Sequence, residues 1–195
     1  MSVSDHRSMI ASQLDLTRPF ILLIPDVLSP EECSEWIARI KASGPELATI
    51  NTTRGAEIAT QVRNNRRVIL DDADAANNLF DRVRAKVPQE IHGMQLCGVN
   101  ERLRCYEYHV GQRFAPHSDG AFIRSENEQS WYTFMIYLNE GCGGGETNFF
   151  VEPEKSITPT TGMALLFQHP IIHEGAEVTS GSKYVVRTDL MYRKD

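Results

Sequence analysis

The second half of the chain has the sequence pattern of an all-β domain. From Leu96 to Tyr192, short runs of alternating apolar and polar residues are separated by Gly, Pro and Asn. Alternation with a period of two gives each strand one apolar face, and turn residues between such runs are typical of antiparallel sandwiches and barrels. The pattern therefore predicts an antiparallel β core over residues 96–192.

The residues before this core have helical signals instead. After a short apolar strand at Phe20–Ile24, the segment Ser29-Pro30-Glu31-Glu32 has the residues preferred at a helix start: a capping serine, an early proline and acids at the positive end of the helix dipole. Apolar residues then recur at helical spacing up to Gly44. A second helix is predicted from Asp72 to Lys86, whereas residues 45–70 are predicted to be irregular.

The chain has the size and charge of one ordinary globular domain. Its 195 residues predict a flexible arm at 1–18 and a single domain at 19–195, with helical support in 19–95 and the β core in 96–192. The 20 Lys and Arg residues against 26 Asp and Glu residues give a net charge of −6. This balance argues against nucleic acids and anionic membranes as partners.

The N-terminal residues and the cysteines predict a cytoplasmic protein. Charges interrupt the first residues, where a signal peptide needs an apolar stretch, and no apolar run is long enough to span a bilayer. The four cysteines lie at wide, irregular spacings without a C-x-x-C pair, which indicates reduced thiols rather than disulfides or a zinc site. The oligomeric state has no signal in the sequence.

Two histidines and one aspartate form a candidate metal site. His117 and Asp119 are two residues apart, so in an extended segment both side chains leave the same face. The pair alone is also compatible with a surface histidine hydrogen-bonded to the aspartate. His173 follows the apolar strand Ala164–Phe167, and a closed sheet can bring it beside the pair. Two histidines and one carboxylate are the ligand set of non-haem Fe(II) oxygenases. Two rival histidines, His109 and His169, are expected either to be structural or to support the metal ligands without binding the metal.

The last strand carries an unusual charged face. Alternation over Gly181–Tyr192 places four residues on one side: Lys183, Val185, Arg187 and Asp189. Two cations and one acid would be costly to bury without partners, and a bound dicarboxylate would supply them. The alternative is a sheet edge whose charges are solvated.

Several short motifs occur in order over about residues 100–192. They are Tyr108-x-x-Gly111, His117-x-Asp119, Phe134–Asn139, Gly144-Gly145-Glu146-Thr147-x-Phe149, and His173-Glu174-Gly175 followed by Val178, Gly181 and Lys183. With the Ser29–Cys33 helix start, this set resembles the prolyl 4-hydroxylase type of Fe(II)/2-oxoglutarate-dependent dioxygenases. The resemblance implies an α+β fold, with a double-stranded β-helix (jelly-roll) core and supporting N-terminal helices. It also implies that His117, Asp119 and His173 hold Fe(II).

The resemblance also assigns cosubstrate residues. Lys183, ten residues after His173, matches the basic residue that pairs with the C5 carboxylate of 2-oxoglutarate. Tyr137 matches a tyrosine that hydrogen-bonds the same carboxylate, and Tyr108 matches one that lines the pocket. Arg187 faces the same way as Lys183 and is a second candidate anchor, because arginine can grip a carboxylate bidentately.

The implied reaction is hydroxylation of an unactivated C–H bond. It would use Fe(II), 2-oxoglutarate and O2, release succinate and CO2, and have ascorbate as a candidate reductant. Peptidyl-proline is the expected substrate, with a free amino acid or small metabolite as the alternative. Two other classes stay open: a Zn or Mn cupin-like hydrolase with the same ligands, and a non-catalytic jelly-roll binding module.

Basic and aromatic residues could frame the mouth of the pocket. Arg104 shares strand parity with Tyr106 and Tyr108, so it would point inward and could meet an anionic group. The basic segment 63–67 has an ordinary alternative, a solvated loop. The full candidate set is Arg63, Arg66, Arg67, Arg104, Arg124 and Trp131.

Overall fold

The computed structural model describes residues 17–52 and 55–194, and antiparallel strands dominate it. The helices are α1 (Pro30–Ala42) and α2 (Ala73–Val83), and a 3-10 turn follows at Arg84–Lys86. The strands are β1 (Ile21–Ile24), β2 (Glu46–Leu47), β3 (Ile50–Thr52), β4 (Gly55–Glu57), β5 (Arg66–Asp71), β6 (Glu90–Ile91), β7 (Met94–Val99), β8 (Arg102–His109), β9 (Phe114–His117), β10 (Ile123–Ser125), β11 (Glu128–Tyr137), β12 (Gly143–Gly144), β13 (Thr147–Phe149), β14 (Lys155–Ile157), β15 (Ala164–Gln168), β16 (His173–Gly175), β17 (Val178–Ser180) and β18 (Ser182–Arg193).

Two sheets make up the core. The larger sheet has the order β1-β15-β11-β18-β8-β5-β2, with β7 also paired to β18 and with β6 and β10 as short additions. The smaller sheet has the order β14-β13-β16-β9. A buried cluster joins them, with Tyr106, Tyr137 and Val185 from the larger sheet and Phe149 from the smaller one. The predicted antiparallel core is therefore confirmed, and it places one face of the larger sheet against the smaller sheet.

The opposite face of the larger sheet packs against the two helices. Ile40 of α1 and Leu79 of α2 are buried in one cluster with Leu103, Cys105 and Val186 of the sheet. Both helices begin at the predicted positions, α1 at its predicted cap and α2 at a cap that was not assigned from the sequence. The side chain of Ser29 accepts a hydrogen bond from the Glu32 amide, and Asp72 does the same for the Ala75 amide.

The N-terminal half is less helical than the sequence predicted. The helices are present, but segment 19–95 also supplies strands, and β1 pairs with β15 of the larger sheet. The prediction that 45–70 is irregular was wrong, because the short strands β2, β3 and β4 lie there and β5, at its end, pairs with β8. The charged residues of β5 hide the apolar alternation by which a strand is recognised in a sequence. The burial of β5 depends on its pairing with β8. Residues 1–16 of the predicted arm lie outside the described residues, and the domain bounds stay a prediction.

No helix among the described residues combines the length and apolar character needed to cross a bilayer.

Candidate active site

Pairing between the strands of the smaller sheet creates the candidate metal site. β9 and β16 are antiparallel, and His173 lies directly opposite His117. Asp119 follows two residues after His117. Its Oδ1 lies 3.7 Å from His117 Nε2, and its Oδ2 lies 3.7 Å from His173 Nε2. Each of the three residues offers one ligand atom, and these atoms all lie within 4.8 Å of one another. The three predicted ligands therefore converge.

The ring nitrogens that face away from this centre are already engaged. His117 Nδ1 lies 2.8 Å from the Ala115 carbonyl oxygen, and His173 Nδ1 lies 2.9 Å from that of Ile171. A carbonyl only accepts, so Nδ1 carries the proton and Nε2 keeps its lone pair for a ligand. Burial lowers the pKa of His117 to about 4, with a further contribution from His173, and burial also lowers the pKa of His173. Both rings are therefore neutral at pH 7, as metal binding requires.

Two side chains hold Asp119 in its ionised form, and one backbone hydrogen bond fixes its position. Thr133 Oγ1 donates to Asp119 Oδ2 at 2.5 Å, and Arg187 Nη2 lies 3.0 Å from the same oxygen. The Asp119 amide donates to the His169 carbonyl at 2.9 Å. Burial alone would raise the pKa of Asp119, but the charge of Arg187, with the nearby histidines, outweighs it and holds the pKa well below its ordinary value.

The two rival histidines do not join the centre. His169 is buried and lies within hydrogen-bonding distance of the Ser130 and Thr133 hydroxyls, so it orients the threonine that holds Asp119. The side chain of His109 is half exposed and pairs with Glu107. The structural assignments of both residues agree with this geometry.

Lys183 is a buried cation in the same cavity. Its side chain is 2% exposed, and its Nζ donates to the Gly145 carbonyl oxygen at 2.6 Å. The rings of Tyr108 and Tyr137 lie 5.3 and 5.5 Å from Nζ. No ion pair to Lys183 occurs among residues 17–52 and 55–194, and burial lowers its pKa to about 8. The cavity it shares with His117, Asp119 and His173 has about 430 Å³ of space, including its mouth.

Comparison with known families now bears on this arrangement. Residues 103–188 match the sequence model of the 2OG-Fe(II) oxygenase superfamily, and this range spans the three converging residues and Lys183. Residues 103–188 therefore carry a 2OG-Fe(II) oxygenase domain. Enzymes of this superfamily use Fe(II) as the metal and 2-oxoglutarate and O2 as cosubstrates.

The chain is similar to several prolyl hydroxylases, in sequence or in fold. Prolyl 4-hydroxylase 1 of Arabidopsis thaliana is 25% identical over 191 residues, covering 85% of this chain and 66% of its own length. A prolyl-4-hydroxylase from Pseudomonas putida has the same fold, with a TM-score of 0.67 and 18% identity over 96% of this chain and all of its own. A Trichoplax adhaerens prolyl hydroxylase, solved with a hypoxia inducible factor peptide, matches with a TM-score of 0.66 and 14% identity, covering 96% of this chain and 90% of its own.

The donor set of the oxygenase fits the metal and cosubstrate of its superfamily. Two neutral imidazole nitrogens and one carboxylate leave positions open for a chelating ligand and O2. The buried Lys183 ammonium has three donors, only one of which is used by Gly145, so the end carboxylate of a dicarboxylate can occupy the others.

The other predicted cosubstrate residues lie in or beside this cavity. Tyr108 lines it, while the fully buried Tyr137 donates its hydroxyl to Thr147 Oγ1 at 2.6 Å. Arg187 lines the cavity but is engaged by Asp119 at 3.0 Å and Asp189 at 3.5 Å. This leaves Lys183 as the freer cation and favours it over Arg187 as the cosubstrate anchor.

Sequence reasoning missed Thr133 and Thr147. Thr133 lies two and four residues before Met135 and Tyr137, so strand parity already placed it on the same face as those residues. Thr147 was quoted within the glycine-rich motif but was given no role. Parity along β11 was the signal available for the first of them.

The predicted residues of the pocket mouth divide into two groups. Arg63, Arg67 and Arg104 line a second cavity beside the metal site, so the solvated-loop alternative is wrong for the first two. The remaining three lie elsewhere: Arg66 is exposed, Arg124 pairs with Glu101 and Glu128 at the surface, and Trp131 is buried in the core with its indole N–H toward Met94 Sδ.

Proposed function

We propose that this protein is a 2-oxoglutarate-dependent dioxygenase that hydroxylates a prolyl residue, with release of succinate and CO2. The convergence of His117, Asp119 and His173 beside the buried Lys183, which has no ion-pair partner among the described residues, carries the proposal. A water-activating Zn or Mn hydrolase would need the same three ligands but no buried ammonium beside them.

The metal ligands are the first contribution of the chain. His117, Asp119 and His173 would hold Fe(II), which with 2-oxoglutarate and O2 supplies the oxidising chemistry. Both imidazoles are kept in the ligating tautomer by backbone carbonyls, and Arg187 keeps Asp119 ionised before any metal arrives. The site is therefore preorganised, and the metal does not have to displace protons at pH 7.

Lys183 would orient the cosubstrate. Its ammonium lies in a cavity lined by Tyr108, Thr147 and Val185, away from solvent. A charge-assisted hydrogen bond in such a buried setting is stronger than one at the surface. Lys183 would bind one end of 2-oxoglutarate so that the keto acid end faces the metal ligands.

The prolyl substrate is inferred from the relatives. The plant and bacterial proteins are named prolyl 4-hydroxylases, and the Trichoplax protein was solved with a peptide. A peptidyl-proline is therefore the first substrate to test, with free amino acids and small metabolites as the alternatives.

The test is a screen for succinate formation. Purified protein is incubated with Fe(II), 2-oxoglutarate and ascorbate, with proline-containing peptides compared against free amino acids. We expect substrate-dependent succinate release, and we expect His117→Ala to lower it at least about 100-fold because one metal ligand is lost. His109→Ala is the matched control, since that histidine is half exposed and is not a member of the ligand group.

Two results would contradict the proposal. Succinate and CO2 release at the parental rate in His117→Ala would show that the three residues do not hold the catalytic metal. Hydrolysis that needs Zn or Mn but no 2-oxoglutarate would favour the hydrolase, and absence of metal binding would favour the non-catalytic module.

A further inference from the structure

A second cavity, rich in arginine, adjoins the metal site. It has about 1080 Å³ of space, is open to solvent and shares His117 and Asp119 with the first cavity. Neighbouring strands of the larger sheet deliver its cations: Arg67 of β5 lies opposite Tyr106 of β8, and Arg104 of β8 lies opposite Arg187 of β18. Arg63 completes the set from the segment before β5. We call these four arginines with Tyr106 the arginine subsite.

The positive charges of the arginine subsite exceed the negative ones. Arg187 pairs with Asp119, and Arg104 pairs with Asp189 at 3.0 Å. Arg63 and Arg67 have no carboxylate partner among residues 17–52 and 55–194. Two guanidinium groups are therefore left in excess, although the whole chain has a net charge of −6.

Arg63 is held rigidly in this position. Only 4% of the residue is exposed, and its Nε donates to Asn65 Oδ1 at 2.8 Å. Its guanidinium carbon lies 4.0 Å from the centre of the Phe114 ring and 4.8 Å from that of Tyr106. Its Nη2 is buried and has no hydrogen-bond partner among the described residues. A buried, unsatisfied and charged donor is costly, so its retention points to a ligand that completes it.

Two neighbours of Arg63 support the same interpretation. Arg67 Nη2 donates to the Thr49 hydroxyl at 3.0 Å, which leaves its other donors for a ligand. The Tyr106 hydroxyl is buried without a partner among the described residues. Burial raises the pKa of Tyr106, yet the charges of Arg187, Arg63, Arg104 and Arg67 outweigh it and lower the pKa overall. The subsite is thus an electropositive environment suited to an anion.

We propose that the arginine subsite binds a carboxylate of the hydroxylation substrate. The inference rests on the proposed function, and it adds that the substrate must be acidic. Guanidinium groups bind carboxylates through paired N–H donors, and Arg67 and Arg63 supply such donors beside His117. The carboxylate is either the α-carboxylate of a free or C-terminal proline or the side chain of an acidic residue next to an internal proline.

Matched acid and amide probes test this proposal. The protein is saturated with Mn(II) and N-oxalylglycine, so that the cosubstrate cavity is filled and no turnover is needed. Binding is measured by calorimetry for N-acetyl-L-proline against N-acetyl-L-prolinamide, and for an acetylated, amidated Glu-Pro-Ala peptide against its Gln-Pro-Ala counterpart. We expect at least one acid to bind about tenfold more tightly than its amide, and the pair that does so identifies the source of the carboxylate.

Variants of adjacent arginines make the test specific. Arg67→Gln should abolish the preference for the acid. Arg67→Lys should keep part of this preference, because lysine retains the positive charge but lacks the paired N–H donors of the guanidinium group. Arg66→Gln is the matched control, since Arg66 is the neighbouring residue on β5 but is exposed and lies outside the cavity. A thermal melt of each variant verifies that it is folded.

Several outcomes would overturn the inference. These are equal affinity for acid and amide in both pairs, no binding by any of the four probes, or an unchanged acid preference in folded Arg67→Gln. A tenfold loss of 2-oxoglutarate affinity in Arg67→Gln with the acid preference intact would assign the subsite to the cosubstrate instead. The dependence of succinate formation on 2-oxoglutarate and on His117 tests the proposed function separately, so either idea can fail alone.

Discussion

Arg187 shows how much of this site depends on single buried charges. It faces the cavity from the same side of β18 as Lys183, yet its Nη2 lies 3.0 Å from Asp119. An unpaired aspartate at this depth would take up a proton and lose its value as a ligand. Arg187 prevents this, while Lys183, which has no acidic partner among the described residues, stays available for an anion.

The pKa of Lys183 makes a prediction about pH. Because burial lowers that pKa to about 8, the ammonium is charged at pH 7 and loses its proton as the pH rises through 8 in the free protein. Binding of 2-oxoglutarate should therefore weaken by about tenfold between pH 7 and pH 9, at one tenfold step per pH unit above the pKa. Calorimetric titration of the Mn(II)-loaded protein with 2-oxoglutarate measures this change.

Two variants test whether Lys183 causes the decline in 2-oxoglutarate affinity with pH. Lys183→Met should bind 2-oxoglutarate weakly at every pH, and Lys183→Arg should bind it without the decline, because guanidinium stays protonated. His117 and His173 cannot produce the decline, since their pKa values are lowered and both are neutral throughout this range. A wild-type affinity that is constant from pH 7 to pH 9 would contradict the assignment of Lys183.

Among the elements, α1 illustrates stability that is set locally. Ser29 Oγ accepts from the Glu32 amide at 3.3 Å, and the Glu32 carboxylate accepts from the Ser29 amide at 2.8 Å. Glu32 also pairs with Arg82 of α2, and this hydrogen bond lowers the pKa of Glu32 to about 2. The cap therefore fixes both the start of α1 and its contact with α2.

Removing the cap should cost stability without touching the site. We expect Ser29→Ala to lower the free energy of unfolding by about 1 kcal/mol, measured by urea denaturation. Ser34→Ala is the control, because Ser34 lies inside the helix and its exposed hydroxyl only donates to the Pro30 carbonyl; its effect should stay within about 0.5 kcal/mol. Equal effects of the two substitutions would show that the capping box does not stabilise α1.

At the scale of the whole molecule, ligand binding should be linked to folding. The three metal ligands lie on β9, in the segment after it and on β16, so they form one site only when the smaller sheet is assembled. Mn(II) and N-oxalylglycine at about 100 times their dissociation constant should add about 2.7 kcal/mol, which corresponds to a rise in Tm of about 5–10 °C. Differential scanning fluorimetry measures this rise.

The same experiment has an internal control. His117→Ala lacks one ligand and should show a much smaller rise, whereas His109→Ala should respond like the parent protein. A rise of equal size in His117→Ala would mean that the ligands bind somewhere other than the His117–Asp119–His173 centre.

Local signals in the sequence were sufficient for both helices, for the faces of β18 and for the candidate metal ligands. The start of α1 follows from its capping residues, that of α2 follows from the spacing of its apolar residues, and the faces of β18 follow from parity alone. The ordered motifs also identified His117, Asp119 and His173, which the structure brings together. These predictions succeeded because hydrogen bonding and side-chain direction along one element depend on near neighbours.

Other features were decided only when distant strands paired. The register that sets His173 opposite His117 joins residues 56 positions apart, and it depends on assembly of the whole sheet. Burial of Arg63, the pairing of Arg187 with Asp119, and the strand at Arg66–Asp71 likewise depend on partners far along the chain. A basic residue has the same local signature in a solvated loop and in a buried pocket. Its role is determined by which side chains and how much water surround it, and only the tertiary structure decides that.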